Sequence, residues 1–176
     1  MKPDGTEVTI RDRASGDYRA IRRLNDAAFG GPAESRLIAD LRACGLAVIE
    51  LVALEETVPI GHILFSRLSV VADGRPVDVL ALAPMAVRPD RQRRGVGSAL
   101  VHAGLNRARR GSWRAAIVLG HPSYYPRLGF SSERARHLKA PFHGESFMAL
   151  ELVAGALDGA AVTVTYPPAF GITPPP

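Results

Sequence analysis

The chain has 176 residues, 47% of them apolar, which is enough to bury one core and short for two. No apolar run approaches the ~18 residues of a membrane-spanning helix. The formal net charge of +5 is almost wholly arginine, because Lys2 and Lys139 are the only lysines, and the single Cys44 excludes an internal disulfide or a multi-cysteine metal site.

Residues 1–7 carry an acid and no apolar stretch, unlike a secretory signal, so a soluble cytoplasmic protein is expected. Val8 and Ile10 alternate with Glu7, Thr9 and Arg11, which predicts a strand. Ser15 or Asp17 then opens a helix whose apolar face is Tyr18, Ile21, Leu24 and Ala28. Gly30-Gly31-Pro32 breaks it. A second helix is expected over residues 34–43, with Leu37, Ile38 and Leu41 inward and Gly45 as its stop. Cys44 reads as a small buried residue of this region rather than a nucleophile.

Residues 47–54 are nearly continuous apolar sequence, as in a strand buried on both faces. Residues 60–71 form another strand, Asp73-Gly74 is a strong two-residue hairpin signal, and residues 77–87 return antiparallel. An arginine-rich turn leads into a helix over residues 95–110, with Val96, Ala99, Leu100 and Ala103 as its inner stripe and Gly111 at its end. A short buried strand at 115–119 follows. Residues 121–128 read as a loop and brief helix closed by Gly129, residues 147–152 as a strand, and 162–166 as a further one. Residues 167–176 are proline-rich and cannot enter a sheet interior, so they are expected as a C-terminal arm. The order predicts a mixed α/β fold, a sheet flanked by helices, in one domain over residues 1–166.

Three segments carry chemistry. In Gln92-Arg93-Arg94-Gly95-Val96-Gly97-Ser98 a strand is followed by a basic turn, a Gly-x-Gly and an amphipathic helix. Backbone N–H groups at a helix start bind phosphate, and glycine lets a ligand approach the backbone. Arg88, Arg91, Arg93 and Arg94 fall within seven residues here, and arginine suits phosphate. The segment is neither a P-loop, which needs Gly-Lys-Ser/Thr, nor a dinucleotide fingerprint, since position 100 is leucine.

The second segment is the apolar strand around Pro84. Proline cannot donate to a ladder, so Pro84 marks either a bulge, which would free backbone groups for an extended ligand, or an ordinary edge strand. The third, Tyr124-Tyr125-Pro126-Arg127-Leu128-Gly129-Phe130, is by composition a turn with aromatic packing.

At these segments the sequence resembles the GNAT N-acetyltransferase superfamily, and within it the YhbS-like acetyltransferase group. Gln92-x-x-Gly95-x-Gly97 resembles the superfamily's acetyl-CoA signature, Arg/Gln-x-x-Gly-x-Gly/Ala. Residues 82–89 resemble the strand before it, and Tyr125-x-x-Leu128-Gly129-Phe130 resembles its closing motif. Ala28-Phe29-Gly30, Glu34, Leu41-Arg42 and residues 147–152 are similar to this group as well. The likeness runs from the first strand to about Tyr166.

The resemblance implies a mostly antiparallel sheet with a splayed central strand pair, and acetyl-CoA as co-substrate. Backbone amides of Arg93, Arg94, Gly95, Val96, Gly97 and Ser98, with Gln92 as the first signature residue, would hold the CoA pyrophosphate. Met85, Ala86 and Val87 would pair with the pantetheine arm. Tyr125 would face the sulfur and protonate the leaving thiolate. Transfer would be direct, in a ternary complex, to a primary amine of a small molecule or a protein N-terminus, with no metal. Members often form homodimers. Where many members carry Asn and then Ala before the tyrosine, this chain has Gly120-His121-Pro122-Ser123.

The general base stays open. His121 has a suitable intrinsic pKa but reads as a loop residue. Glu34 reads as a helix-start acid, and Glu50 and Asp78 as acids on exposed strand faces. Two other functions compete: a module of this fold that binds acyl-CoA without turnover, and a nucleic-acid binder using the arginine cluster. Aromatics are 6% of the chain and none lies between Arg88 and Arg110, which argues against the latter, and a membrane partner is not expected either.

Overall fold

The computed structural model describes residues 7–172, so the readings of the extreme N-terminus and of the final prolines lie outside the described residues. The elements are β1 (Val8–Asp12), α1 (Tyr18–Phe29), α2 (Ala33–Ala43), β2 (Ala47–Glu55), β3 (Val58–Ala72), β4 (Arg75–Val87), α3 (Val96–Arg110), β5 (Ala115–Leu119), α4 (Ser132–Ala135), β6 (Phe147–Glu151) and β7 (Val162–Thr165). Strands neighbour one another in the order β1-β2-β3-β4-β5-β6, with β7 on β3. The pairs β1–β2, β3–β7 and β5–β6 are antiparallel and β4–β5 is parallel. This is the expected mixed α/β fold with a mostly antiparallel sheet.

The turn residues set the strand boundaries. Asp73 and Gly74 both take positive φ, 48° and 79°, the requirement of a type I′ hairpin turn whose twist matches the flanking strands. The Asp73 carboxylate also accepts from the Ala160 and Ala161 N–H groups, which pins the turn to the segment before β7. The first helix ends on Gly30 in the left-handed conformation, where its N–H bonds to Asp26 O.

The chain divides into two compact units. One comprises residues up to Phe65 with Pro84–Arg107, the other Ser66–Ala83 with everything from Ala108 onward. In the first, α1 buries Ile21 and Leu24, α2 buries Ile38 and Leu41, and β2 and β3 supply Leu51, Val52, Ile60, Ile63 and Phe65. The last of these packs under α3. A Cβ on Gly104 would lie 2.8 Å from Cζ of the Phe65 ring, and closer still to Cε2, so only glycine lets the helix seat there. The inner stripe of α3 is Val96, Leu100, Val101, Leu105 and Ala108, whereas Ala99 and Ala103 are half-buried. The second unit is built on Leu68, Val70, Val79, Ala81, Ile117, Phe147, Leu157, Val162 and Val164.

Three burial expectations are corrected. Tyr18 is 43% exposed and belongs to no apolar face. The guanidinium groups of Arg13 and Arg42 both lie against its ring, 4.7 and 4.3 Å from its centroid, so cation–π contact holds it at the surface. Cys44 is exposed, at the C-cap just past the end of α2. Glu50 is buried, because Arg13, Arg42 and His62 donate to its carboxylate.

Candidate active site

The glycine-rich turn is tied down before the helix begins. Where β4 ends, Arg88 N–H donates to Ile60 O at 2.8 Å, and Arg91 N–H closes a short turn onto Arg88 O at 2.8 Å. Gln92 Nε2 donates to Val87 O at 3.1 Å, so its side chain fastens the turn to the end of the strand. Arg93 and Gly95, on either side of Arg94, take φ of 59° and 82°. Positive φ in a non-glycine residue costs about 1 kcal/mol or more and persists where the surroundings demand it. Alternation of this kind turns successive N–H groups toward one side, a concavity suited to an anion. Ala99 N–H to Gly95 O, 3.0 Å, bonds α3 back into the turn. The Val96 and Gly97 amides lie ahead of it, at the positive end of a 15-residue helix.

The arginine cluster is less uniform than its sequence suggests. Arg88 and Arg91 both pair with Asp90, and Arg91 also pairs with Glu55 at 2.8 Å. The hydrogen bond from Arg91 holds the Glu55 carboxyl below its ordinary value. Arg93 and Arg94 are exposed on the turn itself.

The strand before the turn runs through Pro84 to Val87. Its parallel ladder with β5 joins Val79 to Ala115, Leu80 to Ala116 and Ala81 to Ile117, the last pair among the described residues. The missing N–H of Pro84 therefore costs no bond in that ladder, and Met85, Ala86 and Val87 lie beyond it. This is the strand segment the sequence reading assigned to a pantetheine arm.

In the second unit, Tyr125 opens a short 3₁₀ turn, Tyr125–Leu128, that Gly129 ends in the left-handed conformation. Tyr125 is buried, with its ring edge-on to Tyr124 at 5.1 Å and to Phe130 at 5.6 Å. Among the described residues no hydrogen bond reaches its hydroxyl. Burial, and secondarily Tyr124, push the phenol up to about 12. Such a group stays protonated across the neutral range.

The first unit also holds a polar cluster that sequence reasoning missed. Glu50 on β2 accepts from Arg13 Nε at 3.1 Å, from Arg42 Nε at 3.1 Å and from Arg42 Nη2. His62 on β3, with no exposed surface, donates its Nε2–H to Glu50 Oε1 at 2.9 Å. Asn25 Nδ2 donates to Ile21 O at 2.9 Å and meets His62 Nδ1 at 3.2 Å. The carbonyl contact fixes Nδ2 as a donor, so His62 Nδ1 must be the acceptor and the imidazole is neutral. Burial pushes Glu50 up, but hydrogen bonds from His62 and Arg42 outweigh it and hold the carboxyl at about 2. Burial pushes His62 down, against the pull of Glu50. Both imidazole nitrogens and both carboxylate oxygens are engaged, so this cluster fastens α1 and α2 to β2 and β3 rather than presenting a base.

The other candidate bases are dispersed. His121 is exposed and its carbonyl accepts from the Tyr124 and Tyr125 N–H groups. Glu34 sits in the first turn of α2, where a carboxylate complements the helix dipole. Asp78 is exposed, 4.0 Å from Arg67. Among the described residues no three His, Cys, Asp or Glu side chains are grouped to hold a metal, and no helix is long and apolar enough to cross a membrane.

Residues 18–130 match the model of the acetyltransferase (GNAT) family. The chain belongs to that family. It is 31% identical to the uncharacterized N-acetyltransferase YhbS of Escherichia coli over 162 residues, 90% of this chain and 96% of the relative. It is 37% identical to the uncharacterized N-acetyltransferase YjhQ of the same organism over 116 residues, a match that spans 64% of that relative's length. The crystal structure of E. coli YhbS in complex with CoA superposes with a TM-score of 0.86 at 30% identity, covering 98% of this chain and 96% of that one. A GNAT acetyltransferase from Brucella melitensis in complex with acetyl-CoA superposes with a TM-score of 0.77 at 29% identity, covering 94% and 99%. This GNAT chain is thus closely related to YhbS-like proteins.

Proposed function

We propose that this GNAT protein transfers the acetyl group of acetyl-CoA directly to a primary amine, of a small molecule or a protein N-terminus. The observation that carries the reading is the turn at Arg93–Gly95, whose two left-handed residues lead into the N-terminus of α3. A doubly charged pyrophosphate suits such a turn. In this reading backbone amides from Arg93 to Ser98 hold the pyrophosphate, and Gln92 contributes by holding the turn to Val87. Met85, Ala86 and Val87, beyond the β5 ladder, offer backbone groups to the pantetheine amides as an added strand would. Relatives in complex with CoA and acetyl-CoA support this choice of co-substrate.

The chemistry needs a neutral amine to attack the thioester carbonyl. The C–N bond forms, the tetrahedral oxyanion collapses, and the C–S bond breaks to release CoA thiolate. Tyr125, protonated at neutral pH, gives its proton to the sulfur and recovers one from solvent. The amine passes its own proton to water. Substrate, product and proton balance without a metal.

The reading is tested by following CoA thiol release from acetyl-CoA against a panel of small amines and N-terminal peptides. Amine-dependent release is expected, with Tyr125→Phe lowering kcat at least tenfold while the Kd for acetyl-CoA stays within about twofold, the size of effect typical of a general acid. Unchanged turnover in Tyr125→Phe would remove the tyrosine from the mechanism. Tight acetyl-CoA binding with no release on any amine would leave a binding module of the same fold.

A further inference from the structure

We infer that Gly120 is a positioning residue for Tyr125: the absence of its side chain lets the phenol ring lie directly on the main chain at the end of β5. This rests on the proposed role of Tyr125. The ring covers Gly120 closely. A Cβ there would lie 2.6 Å from Cδ2 and 3.2 Å from Cζ of Tyr125, and closer still to Cε2. Real Cβ atoms do not approach ring carbons to that distance, so any other residue must displace the ring or the backbone.

Neither has room to yield in place. Gly120 N–H donates to Ser146 O at 2.9 Å, which ties this point of the chain to the segment entering β6. Tyr125 is held by its own N–H on His121 O at 3.3 Å and by its carbonyl, which accepts from Phe130 N–H at 3.3 Å. Tyr124 and Phe130 flank the ring edge-on. With both backbones fixed and two sides of the ring occupied, a methyl group at position 120 leaves rotation of the Tyr125 side chain as the remaining movement. That rotation carries the phenol out of its buried seat.

Gly120 has no positive φ, unlike nine other glycines, so its backbone conformation is open to any residue. Contact with the ring is what demands glycine. The same glycine falls in the stretch where this chain departs from the Asn-containing pattern of many GNAT members. Here the place of a side chain is taken by an aromatic face, and residue 120 and the acid are coupled by contact.

The test compares Gly120→Ala, Tyr125→Phe and the double variant. Gly120→Ala is expected to lower kcat about as much as Tyr125→Phe, at least tenfold, with the KM for acetyl-CoA within twofold. The double variant should be no slower than Tyr125→Phe alone, because the acid is already lost. A readout independent of activity is the titration of ¹³Cζ-labelled tyrosine, assigned with Tyr125→Phe. In Gly120→Ala the Tyr125 resonance should titrate a unit or more below the wild-type value, as the ring gains solvent. Wild-type kcat and an unmoved resonance in Gly120→Ala would overturn the inference and leave the proposed function standing. Wild-type turnover in Tyr125→Phe would instead remove the reading on which it rests. If Gly120→Ala folds poorly, the coupling is read from stability in a Tyr125→Leu background. Its melting temperature should then tolerate alanine at 120, and an equal loss in both backgrounds would also overturn the inference.

Discussion

The first unit buries a charge among hydrogen-bond partners, and the second buries a phenol whose hydroxyl meets none among the described residues. Glu50 sits among two guanidinium groups and an imidazole N–H, and its carboxyl falls to about 2 in spite of burial. Tyr125 lies among aromatic rings and backbone, and burial raises it to about 12. Desolvation acts on both in the same sense, favouring the neutral form, and the neighbours decide the outcome. The difference separates a group that stabilises a fold from one that, in the proposed mechanism, serves the chemistry. A fully partnered carboxylate has nothing left to offer a substrate, whereas a phenol that keeps its proton and meets no acceptor among the described residues has a hydroxyl left to donate.

The largest expected effect is on the partnered side. Glu50→Ala leaves Arg13, Arg42 and His62 without their shared acceptor, and losing one member of a buried ion pair costs about 3–5 kcal/mol. Denaturant unfolding checks it, and a cost under 1 kcal/mol would mean the cluster is not the fastening described. Tyr125→Phe removes a hydroxyl that donates to no acceptor among the described residues, so it should change stability by less than about 1 kcal/mol. Equal stability losses in the two variants would mean that Glu50 and Tyr125 do not show this difference.

The pH dependence of stability sharpens it. Glu50 unfolds to an ordinary value of 4.5 from about 2, so its contribution is complete above 4.5 and is lost as pH falls toward 2. The shift corresponds to on the order of 3 kcal/mol. His62 is kept neutral in the fold, so stability already begins to fall below its unfolded value of 6.5. Tyr125 has the opposite sign. The unfolded chain loses that proton near 10 and the folded one near 12, so stability falls as pH rises between them. Tyr166, likewise raised by burial, adds to the alkaline limb. Thermal melts across pH should show Glu50→Gln flattening the acid limb alone. Smaller again is Gly104→Ala, where overpacking against Phe65 should cost about 1–3 kcal/mol in the same melts.

Most of the fold was legible because its boundaries are made by local chemistry. Asp73-Gly74 can be read as a type I′ turn from two residues, and Gly45, Gly95 and Gly129 mark turns for the same reason. The glycine-rich turn was legible as a turn because strand, glycines and helix are contiguous. What escaped depends on residues far apart. Glu50 was assigned to an exposed face by its charge, yet its partners come from 8, 12 and 37 positions away. The available signal was a lone acid inside the apolar run of β2 and a lone histidine inside that of β3, each of which needs a buried partner. Tyr18 fitted the helical spacing of an apolar face, but two guanidinium groups that no period predicts hold it outside. Cys44 is exposed because α2 stops at Ala43, and the last residue the helix buries is Leu41, three positions earlier.

Binding of acetyl-CoA tests whether the turn after β4 holds it. Melting of the purified protein with acetyl-CoA at about 100 times its Kd should rise by roughly 5–10 °C, equivalent to about 2.7 kcal/mol. In Gly97→Val, where a branched side chain stands at the start of α3, the unliganded protein should melt cooperatively and the rise should vanish. A rise in the wild type that survives in Gly97→Val would put the co-substrate elsewhere, and a folded wild type with no rise would contradict the account.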